Sequence, residues 1–139
     1  MATATQFDAE LGSFGVQIED DAVARKREAA LDILRQVVLG NPVGQPALWQ
    51  SPAPKGYVGG YSRGNWQMTS GDAADGIVAL RSPASVLAEG EEVEVSLEET
   101  TWITNNAPYV ARLEYEGWSS QAPDGWIRAA VERSRARYE

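Results

Sequence analysis

The sequence of 139 residues contains no cysteine and no histidine. Without cysteine there are no disulfide bonds, thiol nucleophiles or thiolate metal ligands. Without histidine there are no imidazole ligands and no Ser-His-Asp triad. Any chemistry would depend on carboxylates, hydroxyls, lysines or a site for a hard cation. A chain of this length suits one domain that can bury a sizeable core.

Basic residues are scarce as well: 12 Lys and Arg stand against 20 Asp and Glu, giving a formal net charge of -8. Proteins that bind nucleic acid through its phosphates need clustered basic residues, so this balance argues against such binding. It is compatible with a protein past which DNA moves without sticking. No apolar run approaches the roughly 20 residues that cross a bilayer. The N-terminus lacks the features of a secretory signal, so we expect a soluble protein.

Helical signals lie at both ends of the chain. Residues 1–17 are small, polar and interrupted by glycine, which predicts a flexible N-terminal arm that a neighbouring subunit could order. Asp20 and Asp21 suit the start of an amphipathic helix, and Gly40 followed by Pro42 suits its end. Its apolar positions recur at helical spacing and are Val23, Ala30, Leu31, Leu34, Val37 and Val38.

The central residues predict strands. Four short segments, 65–69, 77–80, 93–97 and 101–104, have β-like patterns. Pro108 suits the start of a short helix, and Asp124 is predicted to cap a terminal helix. We therefore expect residues 18–139 to form a single α+β domain, with a mainly antiparallel sheet of about four strands packed against an N-terminal and a C-terminal helix. Trp66, Trp102 and Trp126 are expected in its core.

A long loop rich in proline and glycine occupies residues 41–64. Three aromatic residues, Trp49, Tyr57 and Tyr61, are interleaved with its prolines and glycines. It could be a surface excursion held by its own aromatic rings. It could equally project towards a neighbouring subunit, since aromatic residues are enriched at interfaces. The terminal helix leaves a similar choice. Its arginines, which include Arg128 and Arg133, suit either a solvated helix face or docking to an acidic partner.

Glutamates cluster between residues 89 and 99, and paired carboxylates can act as acid and base in glycoside hydrolysis. Strand alternation places Glu92 and Glu94 on the water side, where charge would instead protect a solvated edge. Asp72 and Asp75 do not form an EF-hand pattern, and Ser119 has no suitable base. We predict no catalytic, cofactor or metal site, and a protein that is not an enzyme.

Three ordered blocks resemble the tail-completion, or neck, proteins of long-tailed bacteriophages. The first block is VVLGNPV at 37–43, and the second is RGNW at 63–66. The third, which is the specific one, contains NNAPY at 105–109, LEY at 113–115, GWS at 117–119 and QAPDG at 121–125. The chain departs from the family pattern by lacking an Asp-Thr-Gly turn after the first block, by an extra Glu116, and by Ser120 in place of a frequent lysine.

The resemblance implies a structural virion protein, assembled in the host cytoplasm and located at the head–tail junction. Such a protein completes or terminates the tail tube as a ring of about six copies. Its partners would be the tail tube protein and the head-closure or connector proteins, and DNA would pass through without specific binding. Candidate interface residues are Trp49, Tyr57, Tyr61, Arg128 and Arg133, and candidate lumen residues are Glu91, Glu92 and Glu94.

Three alternatives stay open at this point. The chain could be another minor tail or head-closure component, a non-catalytic intracellular protein-binding module, or a small hydrolase that uses the acidic cluster. Self-assembly in solution would favour a ring former over a binding module. A hydrolase would require a cleft containing two converging carboxylates.

Overall fold

The computed structural model describes residues 3–44 and 59–139. These residues form an α+β fold of four α-helices, a two-stranded sheet and a short 3-10 turn. In chain order the elements are α1 (Ala4–Gly40), the 3-10 turn (Arg63–Asn65), β1 (Trp66–Ser70), α2 (Pro83–Glu91), β2 (Thr101–Asn105), α3 (Val110–Tyr115) and α4 (Ile127–Tyr138).

The sheet consists of β1 and β2, which pair antiparallel with Met68 opposite Ile103. The prediction of about four strands is wrong, because residues 77–80 and 93–97 form no ladder. Side chains bind their backbone groups instead. The Val78 N–H donates to Asn65 Oδ1 at 2.9 Å, and the Val93 carbonyl accepts from Arg27 Nη1 at 2.8 Å.

The core forms where the C-terminal half of α1 packs against the sheet, α2 and α4. Leu34, Val37 and Val38 are fully buried there. Trp66 and Met68 reach them from β1, Val86 from α2 and Ala130 from α4, and Trp126 reaches them from the position just before α4. Burial of Trp66 and Trp126 confirms two of the three tryptophans expected in the core. The third expectation is wrong, because Trp102 lies 42% exposed and its indole N–H donates to the Gly71 carbonyl at 2.8 Å.

Helix α1 ends where the sequence predicts, at Gly40. The following Asn41 is buried and joins three parts of the chain. Its Oδ1 accepts from the Trp66 indole N–H at 2.8 Å, and its Nδ2 donates to Ser62 Oγ at 2.8 Å. Because a buried amide needs all its partners, Asn41 fixes the direction in which the chain leaves the helix.

The start of α1 differs from the expectation. Residues 4–17, expected as a flexible arm, continue the helix. Thr3 and Gln6 form a capping box, in which Thr3 Oγ1 accepts from the Gln6 N–H and Gln6 Oε1 accepts from the Thr3 N–H. All side chains that the structure describes between residues 5 and 21 are exposed. The helix therefore extends well beyond the domain that its C-terminal half anchors.

Candidate functional site

A buried carboxylate on α3 organises the most distinctive surface of the domain. Glu114 is only 3% exposed and its side chain lies at the N-terminus of α4. Its Oε2 accepts from the backbone N–H groups of Trp126 at 2.7 Å and Ile127 at 2.8 Å, and its Oε1 accepts from Arg128 N–H at 2.9 Å. Helix α4 has no capping side chain of its own, so the prediction that Asp124 caps it is wrong. Glu114 satisfies these N–H groups from another helix.

Two glycines with positive φ allow close backbone approaches around this site. Gly125 has a φ of 82°, and a Cβ at this position would collide with the Glu114 carboxylate. Gly117 has a φ of 62°, and a Cβ there would lie 2.9 Å from the Pro123 carbonyl oxygen. Side chains strain a backbone in this left-handed region. Both glycines therefore serve the docking of the 121–125 turn on α3.

Glu114 also holds a guanidinium at the surface. Arg128 Nε donates to Glu114 Oε1 at 2.9 Å. Burial raises the pKa of Glu114, but hydrogen bonds from Arg128, Ile127 and Trp126 outweigh burial and lower that pKa overall. The side chain of Glu114 is 2% exposed, whereas that of Arg128 is 59% exposed. The outer surface therefore presents the cation, while the carboxylate lies beneath it.

Two aromatic rings extend this surface. Tyr115 and Trp118 are 69% and 57% exposed. The Arg128 guanidinium lies 4.6 Å from the Tyr115 ring centroid, and the Arg112 guanidinium lies 4.6 Å from the Trp118 ring centroid. We call these four residues the aromatic–arginine patch. Tyrosine, tryptophan and arginine are the residue types most enriched at interface hot spots, and a guanidinium over a ring holds both groups in place.

The second unusual surface lies on the projecting half of α1. Leu11, Phe14 and Ile18 are each more than half exposed. Their spacing of three and then four residues places them on one helix face. We call these three residues the apolar stripe. Large apolar side chains that stay contiguous on a surface usually mark a contact with another molecule.

Acidic residues line both sides of the apolar stripe. At about 100° per residue, Asp8 and Glu19 fall on one side of it and Glu10 and Asp21 on the other. No lysine or arginine precedes Arg25 in the sequence. This half of the helix is therefore apolar along one face and negatively charged beside it.

The interface residues predicted from the sequence have separate positions. Trp49 and Tyr57 lie outside the described residues. Tyr61 is partly buried, with its ring centroid 6.3 Å from that of Tyr109, so it packs within its own domain. Arg133 Nε donates to Gln36 Oε1 at 2.7 Å along the contact between α1 and α4. Of the five predicted residues, the structure places Arg128 in the aromatic–arginine patch.

The predicted lumen residues lie at the end of α2 and just after it. Glu91, Glu92 and Glu94 are all exposed. Their backbone is fixed from α1, because Arg27 donates to the carbonyls of Glu91 and Val93. The carboxylates stay in water and are available to face whatever this surface meets. Their place beside a channel stays a prediction.

Arg81 and Glu89 have structural partners. A cavity of about 370 Å³ lies between β1 and α2 and is lined by Trp66, Met68, Val86, Arg81 and Glu89, among others. Arg81 there donates to the Trp66 carbonyl at 2.7 Å, to the Gly64 carbonyl at 3.0 Å and to Glu89, so it braces the loop against the strand. In the described part of the chain, no three Asp or Glu side chains come together as metal ligands.

Comparison with protein families, with curated proteins and with solved structures finds no match to this chain. None of the helices in residues 3–44 and 59–139 combines the length and hydropathy needed to cross a bilayer. Neither the apolar stripe nor the role of Glu114 was predicted from the sequence. The stripe was readable from the spacing of Leu11, Phe14 and Ile18. The capping role of Glu114 was not, because it joins residues that are 12 or more positions apart.

Proposed function

We propose that this protein is a structural subunit of the bacteriophage neck. In this role it completes or terminates the tail tube and joins it to the head connector, as a ring of about six copies. The proposal rests on the resemblance of the three sequence blocks and on a surface that is incomplete in a single copy. It requires no catalytic group, cofactor or metal ion.

The observation that carries the proposal is the apolar stripe. An 18-residue helical extension would reach about 27 Å at 1.5 Å per residue. Leu11, Phe14 and Ile18 lie along it in water. An exposed apolar face of this kind is unfavourable in a protein that stays alone, and burial against a neighbour removes that penalty. A subunit of a closed ring always has such a neighbour.

The resembling residues also have contacts that suit a scaffold. Asn105 Nδ2 donates to the Ser62 carbonyl at 2.7 Å, and Asn106 Nδ2 donates to the Ala74 and Gly76 carbonyls at 2.9 Å. Glu114 joins the 113–115 segment to the 121–125 turn and α4. These three polar side chains thus hold one backbone segment against another. This arrangement supports a rigid assembly unit more than a reactive centre.

The charge of the chain suits a channel for DNA. Each copy adds a formal charge of -8 to a ring. We propose that Glu91, Glu92 and Glu94 line the opening, where negative charge repels the phosphate backbone and lets DNA slide. This part of the proposal would be contradicted by a ring whose opening is lined chiefly by the arginines of α4, which are Arg128, Arg133, Arg135 and Arg137.

The proposal is tested by removing the gene from the phage that encodes it. We expect full heads and separate tails, and we expect that purified protein added to that lysate restores joined, infectious particles. Electron microscopy of the restored particles should locate the protein at the head–tail junction. Joined, infectious particles in its absence would overturn the proposal, as would its location elsewhere in the particle. The variant Glu91→Gln with Glu92→Gln and Glu94→Gln tests the proposed channel separately from joining, because it should still join heads to tails while the opening loses negative charge.

A further inference from the structure

We infer that the apolar stripe of one copy docks on the aromatic–arginine patch of a second copy. The inference rests on the proposed function in one respect, namely that copies of this chain assemble with one another. It goes further by naming the two surfaces that meet. It also makes the contact heterologous, because each copy would offer its stripe to one neighbour and its patch to the other.

The charges beside the apolar stripe restrict what can cover it. Pairing of two stripes would bring together two helices whose flanks carry Asp8, Glu10, Glu19 and Asp21, without a single cation before Arg25. Like charges beside an apolar helix seam disfavour pairing, and opposite charges select the partner. The occupant of this face therefore carries positive charge beside apolar or aromatic surface.

The aromatic–arginine patch of the chain itself has both of these properties. Tyr115 and Trp118 present large exposed rings, and a guanidinium lies over each of them. The carboxylate that pairs with Arg128 is buried beneath it. Arg112 has its nearest carboxylate, Glu116, at 3.8 Å, which is longer than a hydrogen bond. Both cations can therefore meet carboxylates of a neighbour.

The shape of the exposed half of α1 also bears on how it would bind the patch. The exposed half of α1 is a helix with its apolar side chains in a row. Helices of this kind bind partners by laying that row on an apolar groove or patch. The rings of Tyr115 and Trp118 supply such a surface, and each has a guanidinium beside it that can meet the acidic flanks of the helix. In a single copy both surfaces are exposed, so neither of them covers the other.

The chain has no cysteine, so introduced thiols allow a direct test. Gln17→Cys places a thiol beside the stripe, and Glu116→Cys places one beside the patch, and neither position is one of the residues that define the two surfaces. Glu116→Cys also removes the carboxylate that lies 3.8 Å from Arg112, which leaves that guanidinium free for a carboxylate of the neighbour. Both positions are exposed. The two variants, one of them carrying a mass tag, are mixed in equal amounts and treated with a short bis-maleimide. We expect a mixed product of one chain of each kind, in several-fold excess over either product of two identical chains.

The matched control replaces Glu116→Cys with Glu94→Cys, which puts the thiol on another exposed glutamate. We expect the mixed product to fall to the level of random collision. Adding Trp118→Ser and Arg112→Glu to the Glu116→Cys chain should lower its yield by about tenfold or more, the effect of losing interface hot spots. An unchanged thermal melt would show that the domain is intact.

Three outcomes would overturn the inference. The first is a dominant product of two Gln17→Cys chains, which would mean that stripes pair with each other. The second is a mixed product whose yield equals that of the control. The third is the absence of any cross-linked product. Failure of the proposed function gives a different pattern. If removing the gene leaves heads and tails unjoined but no mixed product forms, other contacts hold the ring. If the mixed product forms but particles join without the gene, the docking stands and the neck role falls.

Discussion

The two halves of α1 are parts of one continuous helix, yet they have opposite relations to the rest of the molecule. From residue 22 to Gly40 the helix buries Leu34, Val37 and Val38 and contacts both strands and two other helices. From Ala4 to residue 21 it exposes Leu11, Phe14 and Ile18. The apolar residues have helical spacing in both halves. Helical spacing therefore shows which side chains share a face, but what covers that face depends on the partners within reach.

The composition of the two halves agrees with this difference. Gly12 and Gly15 lie in the exposed half, and a Cβ at either position would meet nothing within 4 Å. Close packing does not require these glycines, and each costs a helix roughly 1 kcal/mol relative to alanine. In the packed half, Gly40 lies against Trp126. The exposed half is thus the weaker helix, and a neighbouring subunit would stabilise it.

The largest expected effect separates the two halves by stability. Leu34→Ala removes a fully buried side chain and should lower the free energy of unfolding by about 2–5 kcal/mol. Leu11→Ala removes the same atoms from the exposed half and should change it by less than about 0.5 kcal/mol. Urea unfolding at low protein concentration measures both. Equal losses would mean that the exposed half packs against the domain.

A smaller effect is expected at Glu114. Glu114→Gln keeps the size of the side chain but weakens its bonds to three backbone N–H groups and Arg128 at the start of α4. We expect a loss of about 1–3 kcal/mol at neutral pH, because buried N–H groups lose a charged acceptor. Glu116→Gln, at an exposed glutamate on the same segment, is the control and should have little effect. An unchanged free energy of unfolding for Glu114→Gln would contradict the stabilising role of this carboxylate at the start of α4.

The difference between Glu114→Gln and the native protein should depend on pH. The pKa of Glu114 is lowered in the folded state, so its carboxylate contributes stability above the ordinary glutamate pKa of about 4.3. That contribution is lost as the pH falls through the lower folded value. The gap in melting temperature between the two proteins should therefore narrow as the pH falls below the ordinary glutamate pKa of about 4.3. A gap that widens on acidification would contradict the direction of the shift.

The smallest effect on stability should accompany a large effect on assembly. Phe14→Ser changes a side chain that is 61% exposed, so its effect on the unfolding of dilute protein should stay within about 0.5 kcal/mol. The same change should abolish self-association as measured by sedimentation or light scattering. Val16→Ser, at an equally exposed position off the stripe, is the matched control. Loss of self-association in both variants would mean that the stripe has no special role.

Much of the fold was predictable from local signals. Helical spacing and the Gly40–Pro42 stop located the packed half of α1, and β patterns located the segments that became β1 and β2. The prediction of additional strands at 77–80 and 93–97 was wrong. A β pattern does not reveal whether another strand is available to pair with the segment. Arg27 and Asn65 occupy backbone groups there, and nothing in the local sequence indicates that.

The candidate site was harder to predict for the same reason. Arg128 was predicted at an interface, but its place over the Tyr115 ring depends on Glu114, which lies 14 residues earlier. The helical N-terminus had a readable signal in the Thr3–Gln6 capping box. Gly12 and Gly15 obscured that signal, because glycine inside a helix is unfavourable. Local patterns thus indicated the kinds of surface in this protein, and long-range contacts decided their positions.

Residues 4–21 project from the domain in a single copy and, in our proposal, gain a partner on assembly. Amide hydrogen exchange at two protein concentrations tests it most directly. We predict fast exchange of residues 4–21 in dilute protein and strong protection in concentrated, assembled protein, with residues 22–40 protected in both. Protection of residues 4–21 in the dilute monomer would contradict the claim, as would fast exchange of these residues in the assembled ring.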